Sequence, residues 1–504
     1  MYTYKPGCTF ETLSDIKNKH IVVMGLGLNG GGEACVRFFL KHGAYVVATD
    51  MKTEEALKPT IDKLSSDPSL DTSKLTYRLG EHRIEDFENA DCVIKNPGVK
   101  IEGNKYLAAA KNIETDISIF LHFTKAPVIA VTGSKGKSST VSAAHYGLNQ
   151  AGFKAFLGGN ITVSPLTFLE ETSERTPVVL ELSSWQLADL RGRGCLKPKI
   201  SVITKIVPDH QNWYHAMEPY VADKRLIYAE QTSSDYAIFD MEGDEPGTGP
   251  ENASTWGNLF AEETKATVLR YAKNRLPSET YGAYQMTEPD GSFCGKAILP
   301  GMSEPETIMK DLIVPGEHMK INALNAALIL FIMGVPAKKC VEIMSKWPGI
   351  DHRLQFFHEY KGIKFYNDSC ATVPEAAAAA SQSFGKPVHL LTGGTDKGLE
   401  LDPLTDTLTG KIHGSIPIKS LYLLSGTATE KLLPALNQSG TKYNGPYDSL
   451  EKMLETLKTN LDNGDFTGDI VVFSPGATSF GMFTNEFDRG NKYMIAVKEI
   501  FKNF

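Results

Sequence analysis

Basic residues are too few and too scattered to make a nucleic-acid surface: the 504-residue chain carries a formal net charge of −8, and its 52 Lys and Arg gather on no one stretch. Cysteine is sparse. The seven (Cys8, Cys35, Cys92, Cys195, Cys294, Cys340 and Cys370) are odd in number and widely spaced, with no Cys-x-x-Cys pair, so neither a disulfide framework nor a zinc site is indicated. A reducing, cytoplasmic compartment is expected. The polar stretch from Met1 to His20 has no apolar core for a signal peptide, and no run approaches the about 18 apolar residues of a membrane span. Repeats and low-complexity tracts are missing too, apart from Ala376–Ala380, which reads as helix. What is present is ordinary globular composition, 41% hydrophobic and 22% charged, at a length that suggests two to four domains.

The most informative stretch follows the apolar run Val128-Ile129-Ala130-Val131. It reads Thr132-Gly133-Ser134-Lys135-Gly136-Lys137-Ser138-Ser139-Thr140, a strand, a glycine loop and a helix start. Backbone N–H groups in such a loop converge on a polyphosphate, the Lys adds a point charge, and the first Ser can hold Mg²⁺. The strict P-loop pattern wants a further glycine where Val131 stands, so this is the shorter Gly-x-x-Gly-Lys-Ser form.

A second glycine turn, Gly25-Leu26-Gly27-Leu28-Asn29-Gly30, follows the strand His20–Met24 and precedes a helical run, Glu33–His42, and a strand ending in Asp50. It could take a dinucleotide or the phosphates of another nucleotide, or simply pack strand on helix; Asp50 could accept hydrogen bonds from a ribose. The strand Asp91–Ile94 ends in Asn96-Pro97-Gly98.

Downstream, the apolar runs Pro177–Leu182 and Ile200–Thr204 lead to Glu181 and His210, a carboxylate and an imidazole that could both face a metal at Ser138, or serve as a helix charge and a hydrogen-bonded turn. From Asp240 to Met309, Gly, Pro, Glu and Ser rise and periodicity fades; surface loops with a small β insertion are expected. After Trp347-Pro348-Gly349 come four more strands, Ile363–Tyr366, Val388–Thr392, Leu421–Leu424 and Ile470–Phe473. Asp368 there could reach a nucleotide, Lys397 on Gly393-Gly394-Thr395-Asp396-Lys397-Gly398 a carboxylate, and Arg353 phosphates; each could equally be an ordinary surface residue. Spacing alone makes Lys224 a solvated helix lysine. The class expected is α/β in three domains: a Rossmann-like domain over 1–123, a P-loop ATPase-like domain with a parallel sheet over 124–349, and a doubly wound domain over 350–504.

Together these residues resemble the Mur ligase family, on the branch that joins glutamate to UDP-N-acetylmuramoyl-L-alanine. The likeness spans nearly the whole chain. It rests on Gly25-Leu26-Gly27-Leu28, Thr-Gly-x-x-Gly-Lys-Ser, Gly158-Gly159-Asn160-Ile161, Leu180-Glu181-Leu182-Ser183-Ser184-Trp185-Gln186-Leu187, His318 with Asn322, His352-Arg353, Asn367-Asp368-Ser369 and Ser474-Pro475. The short P-loop is that family's own form.

The resemblance implies ATP-dependent amide synthesis through an acyl phosphate in peptidoglycan precursor synthesis, by a cytoplasmic monomer. It implies UDP-substrate contacts at Gly27, Leu28, Asn29, Asp50, Asn96, Pro97, Gly98 and Asn160. ATP would meet Gly133, Ser134, Lys135, Gly136, Lys137, Ser138, Ser139, Asn322, Arg353 and Asp368. Mg²⁺ would be held by Ser138, Glu181 and His210, with Lys224 joining if carbamylated; Lys137, His210 and Lys224 would be catalytic. Glutamate would lie near Thr372, Lys397 and Ser479, with the D-isomer favoured over L. The chain departs from the family at Cys370, where a lysine is usual, at Met319, usually Asn, and at Glu486, an aromatic position with Phe487 adjacent. A NAD-dependent oxidoreductase would use only the first glycine turn, and a nucleotide-binding switch only the P-loop.

Overall fold

A computed structural model describes every residue except Met1, Thr162, Asn252, Asp465, Asn503 and Phe504. The chain forms two compact units, one comprising residues 1–311 with 321–344 and the other 312–320 with 345–504.

The first unit holds two sheets. One is parallel throughout, in the order β3 (Leu75–Leu79), β2 (Tyr45–Asp50), β1 (His20–Met24), β4 (Cys92–Lys95) and β5 (Ile113–Glu114). The order turns at β1, and the glycine turn leaves the carboxyl end of that strand, where open α/β sheets bind ligands.

The other sheet has nine strands. Its centre is β6 (Val128–Thr132), flanked by β8 (Val178–Glu181) with β7 (Phe156–Gly159) beyond, and on the other side by β9 (Ile200–Ile203) and β10 (Tyr236–Asp240). β6, β8 and β9 are buried along their whole length, as strands covered by helices on both faces must be, which is why they read as unbroken apolar runs. The expectation of loops with a small β insertion over 240–309 is corrected here. β11 (Thr267–Ala272) and β12 (Gly282–Thr287) continue the parallel ladder from β10, and the antiparallel β13 (Phe293–Ile298) and β14 (Glu306–Lys310) finish the edge. Turn residues between these short strands hid their period.

Two buried ion pairs tie the first sheet to the second: Arg193 with Glu114 at 2.7 Å and Lys95 with Asp189 at 2.8 Å. Tyr4 adds a hydrogen bond to Asp189 and lies under the Arg193 guanidinium. Pairs of this kind contribute more to fixing an arrangement than to net stability.

The second unit is built on one sheet, ordered β15 (Gln355–Tyr360), β16 (Ile363–Asn367), β20 (Ile470–Phe473), β17 (His389–Gly393), β18 (Ser420–Leu424) and β19 (Asn444–Tyr447). Only β15 runs antiparallel. The protein is thus α/β throughout, with predominantly parallel sheets. Among the described residues no helix is long and apolar enough to cross a membrane.

Candidate active site

The P-loop joins β6 to the helix Lys137–Gln150, and Gly136 caps that helix in the left-handed region at φ 94°. Glycine is required there for a second reason: a Cβ would lie 2.4 Å from the Asn322 side-chain oxygen, so the loop and Asn322 are in contact through bare backbone. Gly133 is equally confined, against Thr204. Ser134 points away from the loop mouth. Its hydroxyl donates to Val207 O at 2.8 Å and lies 2.9 Å from the Tyr220 hydroxyl, so it holds the loop to the segment after β9. Lys135 is exposed, while Ser138 and Ser139 sit half-buried in the helix's first turn. The Lys137 ammonium folds over the loop, donating to Gly133 O and Ser134 O at 3.0 Å each. Burial pulls its pKa down, opposed by the carboxylates of Glu181 and Asp209.

Glu181 ends β8 and is 1% exposed. Its Oε1 accepts a 3.0 Å hydrogen bond from Asn160, whereas Oε2 is buried with no hydrogen-bond partner among the described residues. An orphaned carboxylate oxygen in the interior is costly unless a cation meets it. Lys224 is no solvated helix lysine: it is 2% exposed and donates to Gly133 O at 2.8 Å. Burial first, and then the neighbouring Lys137 charge, push its pKa well below the usual lysine range. His210 caps the helix Gln211–Tyr214 with φ 52° and packs on Trp185 with ring centres 4.7 Å apart. Among the described residues no three His, Cys, Asp or Glu side chains form a ready metal cage.

At the first glycine turn, Asp50 accepts from Gly27 N–H at 2.9 Å and Lys52 N–H at 3.0 Å. Leu28 and Asn29 are exposed at the tip, and Asn96 and Gly98 are exposed at the end of β4. Gly25 is held against Asn96, whose β-carbon would lie 3.0 Å from an added Cβ. A cavity of about 200 Å³ lined by Pro97, Lys100, Trp185, Trp213 and Tyr214 lies between this edge and the aromatic cluster at His210. The glycine turn, Asn160, Glu181 and the P-loop all lie in the first compact unit.

In the second unit, Asp368 directly follows β16 and is buried, accepting from Ser474 Oγ at 2.6 Å and Leu354 N–H at 3.0 Å. Burial raises its carboxyl to about 6, while the Ser474 and Leu354 hydrogen bonds and the Arg353 charge pull it down. Arg353 itself is exposed. Lys397 Nζ lies 3.4 Å from Thr372 Oγ1, and Ser479 is buried one residue past the Thr395–Thr478 bridge, so the three positions implied for glutamate gather in this unit. Cys370 is half-buried, and burial raises its thiol pKa.

The Asp368 carboxyl makes a pH prediction. Its folded pKa, about 6, lies above the ordinary 3.8. Between those values the folded protein holds more protons than the unfolded chain, so stability falls as pH rises through that window and levels off above it. The separation corresponds to ~3 kcal/mol at most. Asp189, also raised to about 6 by burial, adds a slope of the same sign. Urea unfolding of Asp368→Asn is expected to lose the Asp368 share and keep the rest; identical slopes in variant and wild type would contradict it.

A Mur ligase MurD-like N-terminal domain model matches residues 19–118, and a Mur ligase middle domain model matches 131–330. A UDP-N-acetylmuramoylalanine–D-glutamate ligase of Treponema pallidum (strain Nichols) is 38% identical, covering 97% of this chain and 99% of its own. The chain belongs to the Mur ligase family. The same-named protein of Borreliella burgdorferi (strain ZS7) is 36% identical over 97% of this chain and 99% of its own. The fold also matches a solved MurF of Acinetobacter baumannii at 14% identity, with a TM-score of 0.56 and coverage of 99% of this chain and 100% of that one.

Two residues of this Mur ligase escaped sequence reasoning. Tyr220 stacks under Lys224, 4.5 Å from ring centre to Nζ, while its hydroxyl meets Ser134. Arg489 is a helix arginine that the fold buries to 1% exposure. The Tyr220–Lys224 spacing, four residues on one helix, was the one available signal.

Proposed function

We propose that this protein joins D-glutamate to UDP-N-acetylmuramoyl-L-alanine with ATP, forming a peptidoglycan precursor. The observation that carries the reading is identity of 38% and 36%, over 97% of the chain, with relatives named for D-glutamate addition. Residues 1–123 hold the UDP substrate, 124–349 ATP and 350–504 glutamate. The reaction is assigned to the cytoplasm, as the family resemblance implies.

An amine does not displace oxygen from a carboxylate in water at a useful rate. The substrate's alanyl carboxylate therefore attacks the γ-phosphorus of ATP, ADP leaves, and the acyl phosphate is formed. The amine of glutamate then adds to the acyl carbon, and phosphate departs from the tetrahedral intermediate. The P-loop N–H groups and Lys137 offset charge on the transferring phosphoryl oxygens. Asn322, Arg353 and Asp368 contact ATP. Asp50, with the tip from Gly27 to Asn29, holds the uridine end, and Asn160 orients the muramoyl end. Thr372, Lys397 and Ser479 bind glutamate.

The donor set suits Mg²⁺: the unpartnered Glu181 oxygen and the Ser138 hydroxyl would hold one ion, and His210 with Lys224 a second. Bound Mg²⁺ supplies charge neutralisation on phosphate oxygens. By the family resemblance Lys224 would take part as its carbamate, and a pKa held well below the usual range favours the neutral amine that carbon dioxide needs.

The test is phosphate release with ATP, UDP-N-acetylmuramoyl-L-alanine and either D- or L-glutamate. Release that depends on both the UDP substrate and D-glutamate is expected. Release with L-glutamate alone would overturn the stereochemical assignment, and release with neither would overturn the reaction.

A further inference from the structure

We infer that Arg489 is a positioning and specificity-determining residue of the amino-acid pocket, selecting a substrate whose side chain ends in a carboxylate over one ending in an amide; this rests on the ligase reading above. The helix Glu486–Ile500, capped by Asn485, carries Arg489 in its first turn and buries it to 1% exposure. Its three nitrogens are all engaged. Nε donates to Ser369 Oγ at 3.0 Å, one terminal nitrogen to Ser369 O at 2.8 Å, and the other to Ala477 O at 3.0 Å. The Ser369 hydroxyl in turn donates to Glu486 O at 2.8 Å.

One guanidinium thus fastens together the segments that carry the pocket. Ser369 stands three residues before Thr372. Ala477 stands two before Ser479, and Thr478 between them bridges to Thr395, two before Lys397. The packing around it is tight: a Cβ on Gly490 would lie 2.2 Å from His352 Nδ1.

The charge is the second half of the argument. Every partner of Arg489 is neutral, and no carboxylate among the described residues lies within ion-pair distance of it. Burial lowers its pKa to about 10 against the opposing pull of the Glu486 carboxylate one turn back on the same helix, so it stays cationic at neutral pH. A buried cation with no ion pair carries a desolvation penalty that Glu486 offsets only in part from beyond ion-pair distance, and an anion arriving in the adjacent pocket relieves the rest. The pocket's other cation, Lys397, is exposed and screened by water. Cys370, beside Ser369, is an uncharged thiol at neutral pH because burial raises its pKa. Arg489 adds a buried positive charge beneath this pocket, one terminal nitrogen lying 3.9 Å from where a Cβ on Gly394 would sit, in the loop that carries Lys397. At the effective dielectric of a protein interior, a charge within roughly 8 Å is worth about tenfold or more in affinity.

The experiment measures phosphate release by wild type, Arg489→Met and Arg489→Lys with saturating ATP and UDP substrate. KM for D-glutamate is compared with the apparent constant for D-glutamine, a nearly isosteric neutral analogue, taken as substrate or competitor. Arg489→Met is expected to lower the preference for glutamate about tenfold or more, with KM for ATP and for the UDP substrate within about threefold of wild type. Arg489→Lys keeps the charge and loses the fork of hydrogen bonds, so both amino acids bind less well while the preference stays within about threefold. Equal losses for the two amino acids in Arg489→Met, or a tenfold loss of preference in Arg489→Lys, would overturn the inference. If Arg489→Met does not fold, Arg489→Lys decides alone by the same criterion. A wild-type protein that releases no phosphate with any amino acid rejects the ligase reading instead, so the two failures are distinguishable.

Discussion

Lys137→Ala is expected to lower the turnover of ATP-dependent amide formation by about 10²–10³, the cost of removing one preorganised charge from a phosphoryl-transfer site. The structure gives the reason. The Lys137 ammonium sits over the loop on two carbonyls at 3.0 Å, and burial lowers its pKa while Glu181 and Asp209 hold it charged. In such a setting an ammonium needs little reorganisation to meet a phosphate, and low solvation makes the contact worth more than it would be in water. The fold should survive, because the helix start at Gly136 and the Ser134 anchors to Val207 and Tyr220 do not involve the lysine side chain. Steady-state phosphate release together with thermal unfolding checks both halves. Turnover within threefold of wild type would remove Lys137 from the chemistry.

Glu181→Gln is the second large effect. The amide keeps the carbonyl that accepts from Asn160 and discards the charge at the unpartnered oxygen. Turnover is expected to fall by about 10²–10³, and the magnesium concentration for half-maximal activity to rise ~10–100-fold. The change also removes one of the two carboxylates that keep Lys137 protonated. A magnesium titration separates the causes: a variant that regains most of its rate at high magnesium lost affinity, and one that does not also lost the electrostatic support of Lys137. An unaltered magnesium dependence would exclude Glu181 as a metal-facing group.

The parts of the fold legible in the sequence were those with both faces buried. β1, β6, β8 and β9 are short runs rich in Val, Ile and Leu that lead into turn residues, the pattern of an interior strand. The edge from β11 to β14 was missed because its strands, only partly buried, are broken by Pro, Gly and Glu turns. β19, reading Asn-Gly-Pro-Tyr, carries no strand signal at all.

The site shows the same division. Gly133, Gly136, Lys137 and Ser138 declare themselves because a phosphate loop needs those residue types at that spacing. Lys224 and Arg489 do not, since a buried lysine or arginine and a solvated one have the same letter and the same helical spacing. Only the fold, by closing Tyr220 and Gly133 around the one and Ser369 and Ala477 around the other, distinguishes them. Glu181 lay between these cases: its place at a strand end was legible, but its unsatisfied buried oxygen was not.

The most direct test of the acyl-phosphate ligase follows one oxygen atom. UDP-N-acetylmuramoyl-L-alanine labelled with oxygen-18 in its alanyl carboxylate is turned over with ATP and D-glutamate, and the released phosphate is weighed by mass spectrometry. The attack of that carboxylate on the γ-phosphorus predicts one labelled oxygen in each phosphate from doubly labelled substrate; phosphate free of label would contradict it.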